Sequence, residues 1–170
     1  LGGFGISGGT FLDDFGIEGE STIVNLTILG GKFLGDFWIS GGKFLGPFWI
    51  LGGTFLRNFE ISGGTFSNYF RIESGKFSND FGISGGTFLC DFEIADESEF
   101  KNFGIAGGTY LGGFGISGGT FLRNFEISGG GFSGDFRISD GRFSGDFGIL
   151  SESKFKNFGI TNGTFSGNFR

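Results

Sequence analysis

Isoleucine recurs at every eleventh position of this chain, from Ile6 to Ile160, without one insertion or deletion. Phenylalanine stands two residues before each isoleucine, with Leu26 as the exception, and a second Phe usually lies four residues earlier. The repeated unit reads S-G-G-T-F-L-x-(D/N)-F-x-I. A repeat whose phase never drifts predicts an architecture in which each unit completes its core only against its neighbours.

The residues within the unit indicate strands and corners. The chain contains 39 Gly and 28 Phe but only 1 Pro. Each Gly costs about 1 kcal/mol relative to Ala inside a helix, so a right-handed helical coiled coil with this repeat length is excluded. Thr-Phe and Phe-x-Ile are typical of strands, and Gly-Gly and Asp/Asn are typical of turns. We therefore expect two short strands and two corners in each unit.

Two all-β architectures fit these elements, and we favour the first. It is a regular β-solenoid built of 11-residue coils, with Phe and Ile ladders running along its axis at a spacing of about 4.8 Å. Such coils would place Trp38 beside Trp49, and Glu60 and Glu126 each beside the arginine of the next unit. The alternative is an antiparallel β-meander with S-G-G as the hairpin loop. A solenoid coil made of two units also remains open.

The solenoid interpretation predicts one repeat array over residues 1–170 and a ladder of inward side chains. The repeat pattern extends to both ends of the sequence, without a polar cap. We take the ladder members from the Phe-x-Ile positions of five units. They are Phe15, Ile17, Phe37, Ile39, Phe59, Ile61, Phe92, Ile94, Phe125 and Ile127.

Three units depart from the pattern in the same way. Each carries Glu in place of the second Gly, and its next apolar residue is displaced by one position, to Ile23, Phe100 or Phe155. In a strand, a shift of one residue turns a side chain to the other face. We therefore expect a different corner in these units, either as drift at a tolerant position or as a lateral contact point.

The residue types exclude most active sites. The chain has no His, and its single cysteine, Cys90, has no cationic neighbour in sequence that would lower its pKa. The Asp column at Asp14, Asp36, Asp80, Asp91, Asp135 and Asp146 alternates freely with Asn, which indicates turn formation rather than a calcium site. We predict no catalytic residues, no metal and no cofactor, so the protein is not expected to be an enzyme.

The surface pattern limits the partners. The net charge of −6 is scattered, with no basic run for nucleic acid, and no apolar segment approaches the ~18 residues of a membrane span. A threonine column at Thr10, Thr54, Thr65, Thr87, Thr109, Thr120 and Thr164 could form an ice-binding face, but Lys32, Lys43, Lys76, Gly131 and Arg142 interrupt it.

The inward positions are strictly kept and the outward positions vary, which favours a scaffold. The array resembles, in architecture alone, the regular β-solenoids of surface fibres and adhesin stalks. We therefore expect a structural subunit or section of an extracellular or cell-surface fibre that self-assembles end to end. A surface-binding solenoid module for ice or glycan is the alternative.

Overall fold

A computed structural model describes residues 2–150 and 152–170 of the chain. Within these residues the chain forms a single 22-stranded sheet and no helix. The sheet winds into a β-solenoid of about 7 turns, which confirms the predicted fold class. At a spacing of about 4.8 Å between turns, the rod is roughly 35 Å long.

Each strand pairs in parallel with the strand one turn further on. Phe4 aligns with Leu26, Phe37 with Phe59, and Ile94 with Ile116, so the partner lies two sequence units along the chain in each case. One turn therefore contains two sequence units, and a single unit forms half a turn. All strand pairings between the described residues are parallel, so the antiparallel meander is wrong.

Two units per turn give the rod four sides. The Phe-x-Ile strands form two long sides on opposite faces, and the shorter Thr-Phe strands form two short sides between them. Long side I contains β1 (Phe4–Ile6), β5 (Leu26–Ile28) and β9 (Phe48–Ile50). Long side II contains β3 (Phe15–Ile17), β7 (Phe37–Ile39), β11 (Phe59–Ile61), β18 (Phe125–Ile127) and β20 (Phe147–Ile149).

The short sides follow the same order. Short side A contains β2 (Thr10–Phe11), β6 (Lys32–Phe33), β10 (Thr54–Phe55) and β22 (Thr164–Phe165). Short side B contains β4 (Thr22–Ile23), β8 (Lys43–Phe44), β12 (Thr65–Phe66), β14 (Thr87–Phe88) and β16 (Thr109–Tyr110). Longer strands bend around corners and serve several sides: β13 (Phe70–Ile83), β15 (Phe92–Ile105), β17 (Phe114–Phe121), β19 (Gly131–Phe143) and β21 (Lys154–Ile160).

The two glycines of the S-G-G corner meet different requirements. A Cβ atom at Gly85 would lie 2.3 Å from the carbonyl oxygen of Ser62 in the preceding turn, so no side chain fits there. Gly86 has φ of +97°, a conformation that L-residues with a side chain rarely adopt. The corner is therefore fixed by close packing at its first glycine and by backbone conformation at its second.

The core consists of four aromatic columns, two for each half of the turn. Within a turn, Phe33 and Phe37 meet edge to face at 5.5 Å, and Phe44 and Phe48 do the same at 5.5 Å. Between turns, rings stack in parallel, as Phe33 does on Phe55 at 4.6 Å. These are the two favourable aromatic geometries, and the two-unit turn provides both to each interior ring.

The predicted ladder residues lie in this core. Phe15 is partly buried near one end of the rod. The others are buried: Ile17, Phe37, Ile39, Phe59, Ile61, Phe92, Ile94, Phe125 and Ile127.

The units with the displaced apolar residue keep it inside, so the expected turn to the other face is wrong. Phe100 is fully buried and stacks between Phe77 at 4.8 Å and Phe121 at 5.1 Å. The strand register shows the reason, because Phe100 aligns with Phe77 one position beyond the two-unit spacing, whereas Asn102 aligns with Asp80 at the usual spacing. The first corner gains one residue and the next loses one, so the columns stay in phase. A different corner, as expected, is what absorbs the shift.

Candidate functional site: the outward residues of the rod

The two-unit turn sorts the outward residues of alternate units onto opposite sides. On long side I, the residues between Phe and Ile include Trp49, Arg71, Glu93, Gly115 and Arg137 on successive turns. Trp38 belongs instead to long side II, aligned with Gly16 and Glu60. The predicted neighbours Trp38 with Trp49, Glu60 with Arg71, and Glu126 with Arg137 are therefore wrong, since each pair lies on opposite sides.

Arg71 has a different acidic neighbour from the one that a single-unit coil would give it. Its Nη1 lies 2.9 Å from Oε2 of Glu93 on the next turn, and its Nε lies 3.3 Å from Oε2 of Glu73. The second arginine of this side, Arg137, is exposed and pairs with Asp135 at the adjoining corner. Between Glu93 and Arg137 lies Gly115, where an added Cβ would meet no atom within 4 Å. Long side I thus presents two cationic positions separated by an acidic one and a glycine.

Long side II has a hollow at its centre. Gly82 and Gly104 occupy successive turns, and a Cβ atom at either would meet nothing within 4 Å. The exposed carboxylates of Glu60 and Glu126 stand on the turns before and after them. We call this feature the glycine hollow; it is an open, shallow groove with an acidic side chain at each end.

Trp38 covers the backbone below it rather than a second tryptophan. A Cβ atom at Gly16 would lie 2.3 Å from Cε2 of Trp38, so the indole rests directly on this glycine. The indole Nε1 donates a hydrogen bond to Oε1 of Glu18 at 2.8 Å. Trp38 is therefore half-buried, whereas Trp49 on the opposite side is exposed.

The Asp/Asn corner column forms hydrogen bonds between successive turns. Oδ1 of Asp14 accepts from the backbone N–H of Asp36 at 2.8 Å, and Oδ1 of Asp91 accepts from that of Gly113 at 2.7 Å. The side-chain amide of Asn102 donates to Oδ1 of Asp80 at 2.7 Å. An Asp and an Asn both offer this acceptor oxygen, which explains why the two residues alternate. In residues 2–150 and 152–170, no three acidic or cysteine side chains converge as metal ligands would.

Two carboxyl groups near the C-terminal end of the rod have altered acidity. The side-chain amide of Asn157, together with the charge of Arg137, lowers the pKa of Asp135. The backbone N–H of Asn168, followed by the side chain of Arg170, lowers the pKa of Asp146. Both groups are stabilised in the ionised form by hydrogen-bond donors and positive charge close to them.

The threonine column is likewise divided between two sides. On short side B, Thr65, Thr87 and Thr109 occupy three consecutive turns without interruption. On short side A, Thr54 has Lys32 and Lys76 as its neighbours. A uniform threonine surface is thus confined to one stretch of short side B.

Two further polar groups have no functional partner among the described residues. Cys90 is a partly buried free thiol whose Sγ lies 3.5 Å from the carbonyl oxygen of Ser67. Tyr110 lies in an aromatic column, and burial raises the pKa of its hydroxyl. Within the part of the chain that the structure describes, that hydroxyl has no hydrogen-bond partner. It belongs to a tightly packed interior rather than to a site.

Sequence reasoning did not identify the glycine hollow or the inter-turn hydrogen bonds of the corner column. Both features depend on residues two units apart, such as Gly82 with Gly104 and Asp91 with Gly113. The usable signal was the alternation between odd and even units, which gives each outward position a different neighbour from the one in the next unit.

The described residues include no helix long and apolar enough to cross a bilayer. Comparisons of the chain with protein-family models, with curated proteins and with solved structures found no match.

Proposed function

We propose that this protein is a structural section of an extracellular or cell-surface β-solenoid fibre that assembles end to end. The observation that carries the proposal is the contrast between the two surfaces of the sheet. The inward columns contain an aromatic or aliphatic residue at every turn, whereas the outward neighbours on long side I change from Trp49 to Arg71 to Glu93. Selection for a rigid rod would maintain such a core and leave the outer positions free to vary.

The end turns support assembly along the axis. Phe4 is 44% exposed at one end, and Phe158 and Phe169 are 41% and 60% exposed at the other, whereas Phe92 in the middle is fully buried. A further turn of the same pattern, from the same chain or a second copy, would cover these rings and pair the backbone groups of the end strands. Covering each apolar ring contributes up to about 2–3 kcal/mol.

Electron microscopy of the purified protein, with fibre diffraction, tests the proposal. We expect unbranched filaments with a meridional spacing of about 4.8 Å. The double variant Phe4→Asp, Phe169→Asp places a charge on each end face and should abolish the filaments. Leu12→Asp is the matched control, because Leu12 is 71% exposed near the same end but on a corner rather than on the end face. Discrete particles from the unaltered chain at all concentrations would refute end-to-end assembly.

One observation favours a second candidate, a surface-binding module. Thr65, Thr87 and Thr109 form an uninterrupted row on short side B, with the regular spacing of the turns. A repeated uncharged hydroxyl row is what an ice lattice or a crystalline glycan would require. Thermal hysteresis that is present in the unaltered chain and lost in Thr87→Lys would favour this candidate; no effect on ice growth would exclude its ice-binding form.

A further inference from the structure

The two long sides of the rod match each other in charge. On long side I, the cations Arg71 and Arg137 are separated by three turns, with Glu93 and Gly115 on the turns between them. On long side II, the carboxylates Glu60 and Glu126 are also separated by three turns. Both spacings are about 14 Å along the axis. Because the separations are equal, both ion pairs can form at once between two rods.

We propose that long side I of one copy docks on long side II of a second, parallel copy, joining rods laterally as well as end to end. Moving one rod sideways, with no rotation, brings these two opposite faces together. Each arginine then stands half a turn, about 2.4 Å, above its glutamate. Arg71 meets Glu60 and Arg137 meets Glu126 in a single register.

The residues between the charged positions suit this register. Glu93 faces Gly82, the first residue of the glycine hollow, so the one acidic side chain between the two arginines meets no carboxylate. Gly115 faces Gly104, and the absence of a side chain on both lets the two backbones approach closely. Beyond the first ion pair, exposed Trp49 meets Trp38 and adds an apolar contact.

The size of the face indicates how this contact works. A rod about 35 Å long with a face about 10 Å wide buries roughly 350 Å² per partner, well below the ~800 Å² of a stable interface. One contact between isolated rods is therefore weak, and rods aligned in filaments sum many such contacts. The inference thus rests on the proposed fibre for its strength in the native assembly. The contact is heterologous, so it continues from rod to rod and produces ribbons rather than closed dimers.

A disulfide reporter tests the contact without requiring filaments. The reporter chain carries Cys90→Ser, Gly104→Cys and Gly115→Cys; both glycine positions have open space for a side chain. Because the new cysteines lie on opposite sides of one rod, they cannot pair within it. Mild oxidation should give a ladder of covalent dimers, trimers and larger species on a denaturing gel. The variants with only Gly104→Cys or only Gly115→Cys should remain monomeric, and a dimer from either would indicate like-to-like docking instead.

Charge reversal tests the two ion pairs. Adding Glu60→Arg and Glu126→Arg to the reporter should reduce ladder formation about tenfold at low salt, because attraction becomes repulsion. Adding Arg71→Glu and Arg137→Glu to that chain should restore the ladder. The control Glu20→Arg, Glu152→Arg changes net charge equally at exposed corner positions and should have no effect. Circular dichroism identifies any variant that fails to fold, and the single exchange Glu126→Arg with Arg137→Glu then replaces the double one.

The outcomes separate this inference from the proposed function. Filaments one rod wide without a covalent ladder would overturn lateral docking and leave the fibre intact. A charge-dependent ladder without filaments would support lateral docking and refute end-to-end assembly. A ladder that forms equally well after reversal at Glu60 and Glu126 would overturn the proposed register.

Discussion

Oδ1 of Asp36 accepts a hydrogen bond from the backbone N–H of Asn58 at 2.9 Å, one full turn further along the chain. The side chain of one turn thereby satisfies a corner N–H of the next. This relationship links the Asp/Asn column of the sequence directly to the stacking of the turns.

Asp36→Ala should therefore destabilise the protein by about 0.5–1.5 kcal/mol, because the N–H of Asn58 loses its acceptor. Asp36→Asn should cost little, since the amide oxygen can accept the same bond. Chemical denaturation of the two variants beside the unaltered chain checks the ranking. If Asn and Ala are equally destabilising, charge rather than the acceptor is what this position requires.

Gly85→Ala should destabilise the rod by about 1–3 kcal/mol through forced backbone displacement. The added Cβ would lie 2.3 Å from the carbonyl oxygen of Ser62. Gly82→Ala is the matched control, because a Cβ there meets nothing within 4 Å. Thermal unfolding should show a clear loss for the first variant and little change for the second. Equal melting temperatures would contradict the close packing of turns at the S-G-G corner.

Phe92→Ala should cost about 3–5 kcal/mol, as is usual when a fully buried ring is removed. Phe92 stacks between Phe70 at 4.6 Å and Phe114 at 4.8 Å, so both contacts are lost together. Trp38→Ala should cost less, since the indole is half-buried on Gly16. The reverse ranking in denaturant unfolding would mean that the inner and outer faces are exchanged.

Tyr110→Phe should stabilise the protein by about 1–3 kcal/mol, because it removes a buried hydroxyl that lacks a partner within the described residues. The ring keeps its stacks on Phe88 at 4.8 Å and Phe132 at 4.5 Å. The converse change, Phe66→Tyr in the same column, should be destabilising. A loss of stability in Tyr110→Phe would show that the hydroxyl has a bound partner such as water.

Acid should weaken the C-terminal turns. The pKa values of Asp135 and Asp146 lie below the ordinary 3.8 in the folded chain. A lowered pKa contributes stability that is present above the ordinary value and lost as pH falls through the folded value. The melting temperature should therefore fall between about pH 4 and pH 2, and fall less in the Asp135→Asn, Asp146→Asn variant. Identical pH profiles would contradict a role for these carboxylates in stability.

The sequence allowed the strand segments and the inward positions to be predicted, as at Phe92 and Ile94, because burial depends on the pattern within one unit. Outward neighbours could not be predicted in the same way. Arg71 and Glu60 are one unit apart but lie on opposite sides, whereas Arg71 and Glu93 are two units apart and form an ion pair. The position of Phe100 was also missed, since an extra residue in one corner is compensated in the next.

The sequence by itself determined the repeated unit, its two strands and its two corners, because hydrophobicity, β-propensity and glycine content act locally. The number of units in a turn was decided by the tertiary structure. The repeat length is compatible with one unit per turn or with two, and only the enclosed cross-section distinguishes them. Two units enclose four rings in a layer and let them meet edge to face at 5.5 Å, as Phe33 meets Phe37 and Phe44 meets Phe48. That packing requirement sets which outward residues become neighbours, and with them the surfaces that the rod offers to a partner.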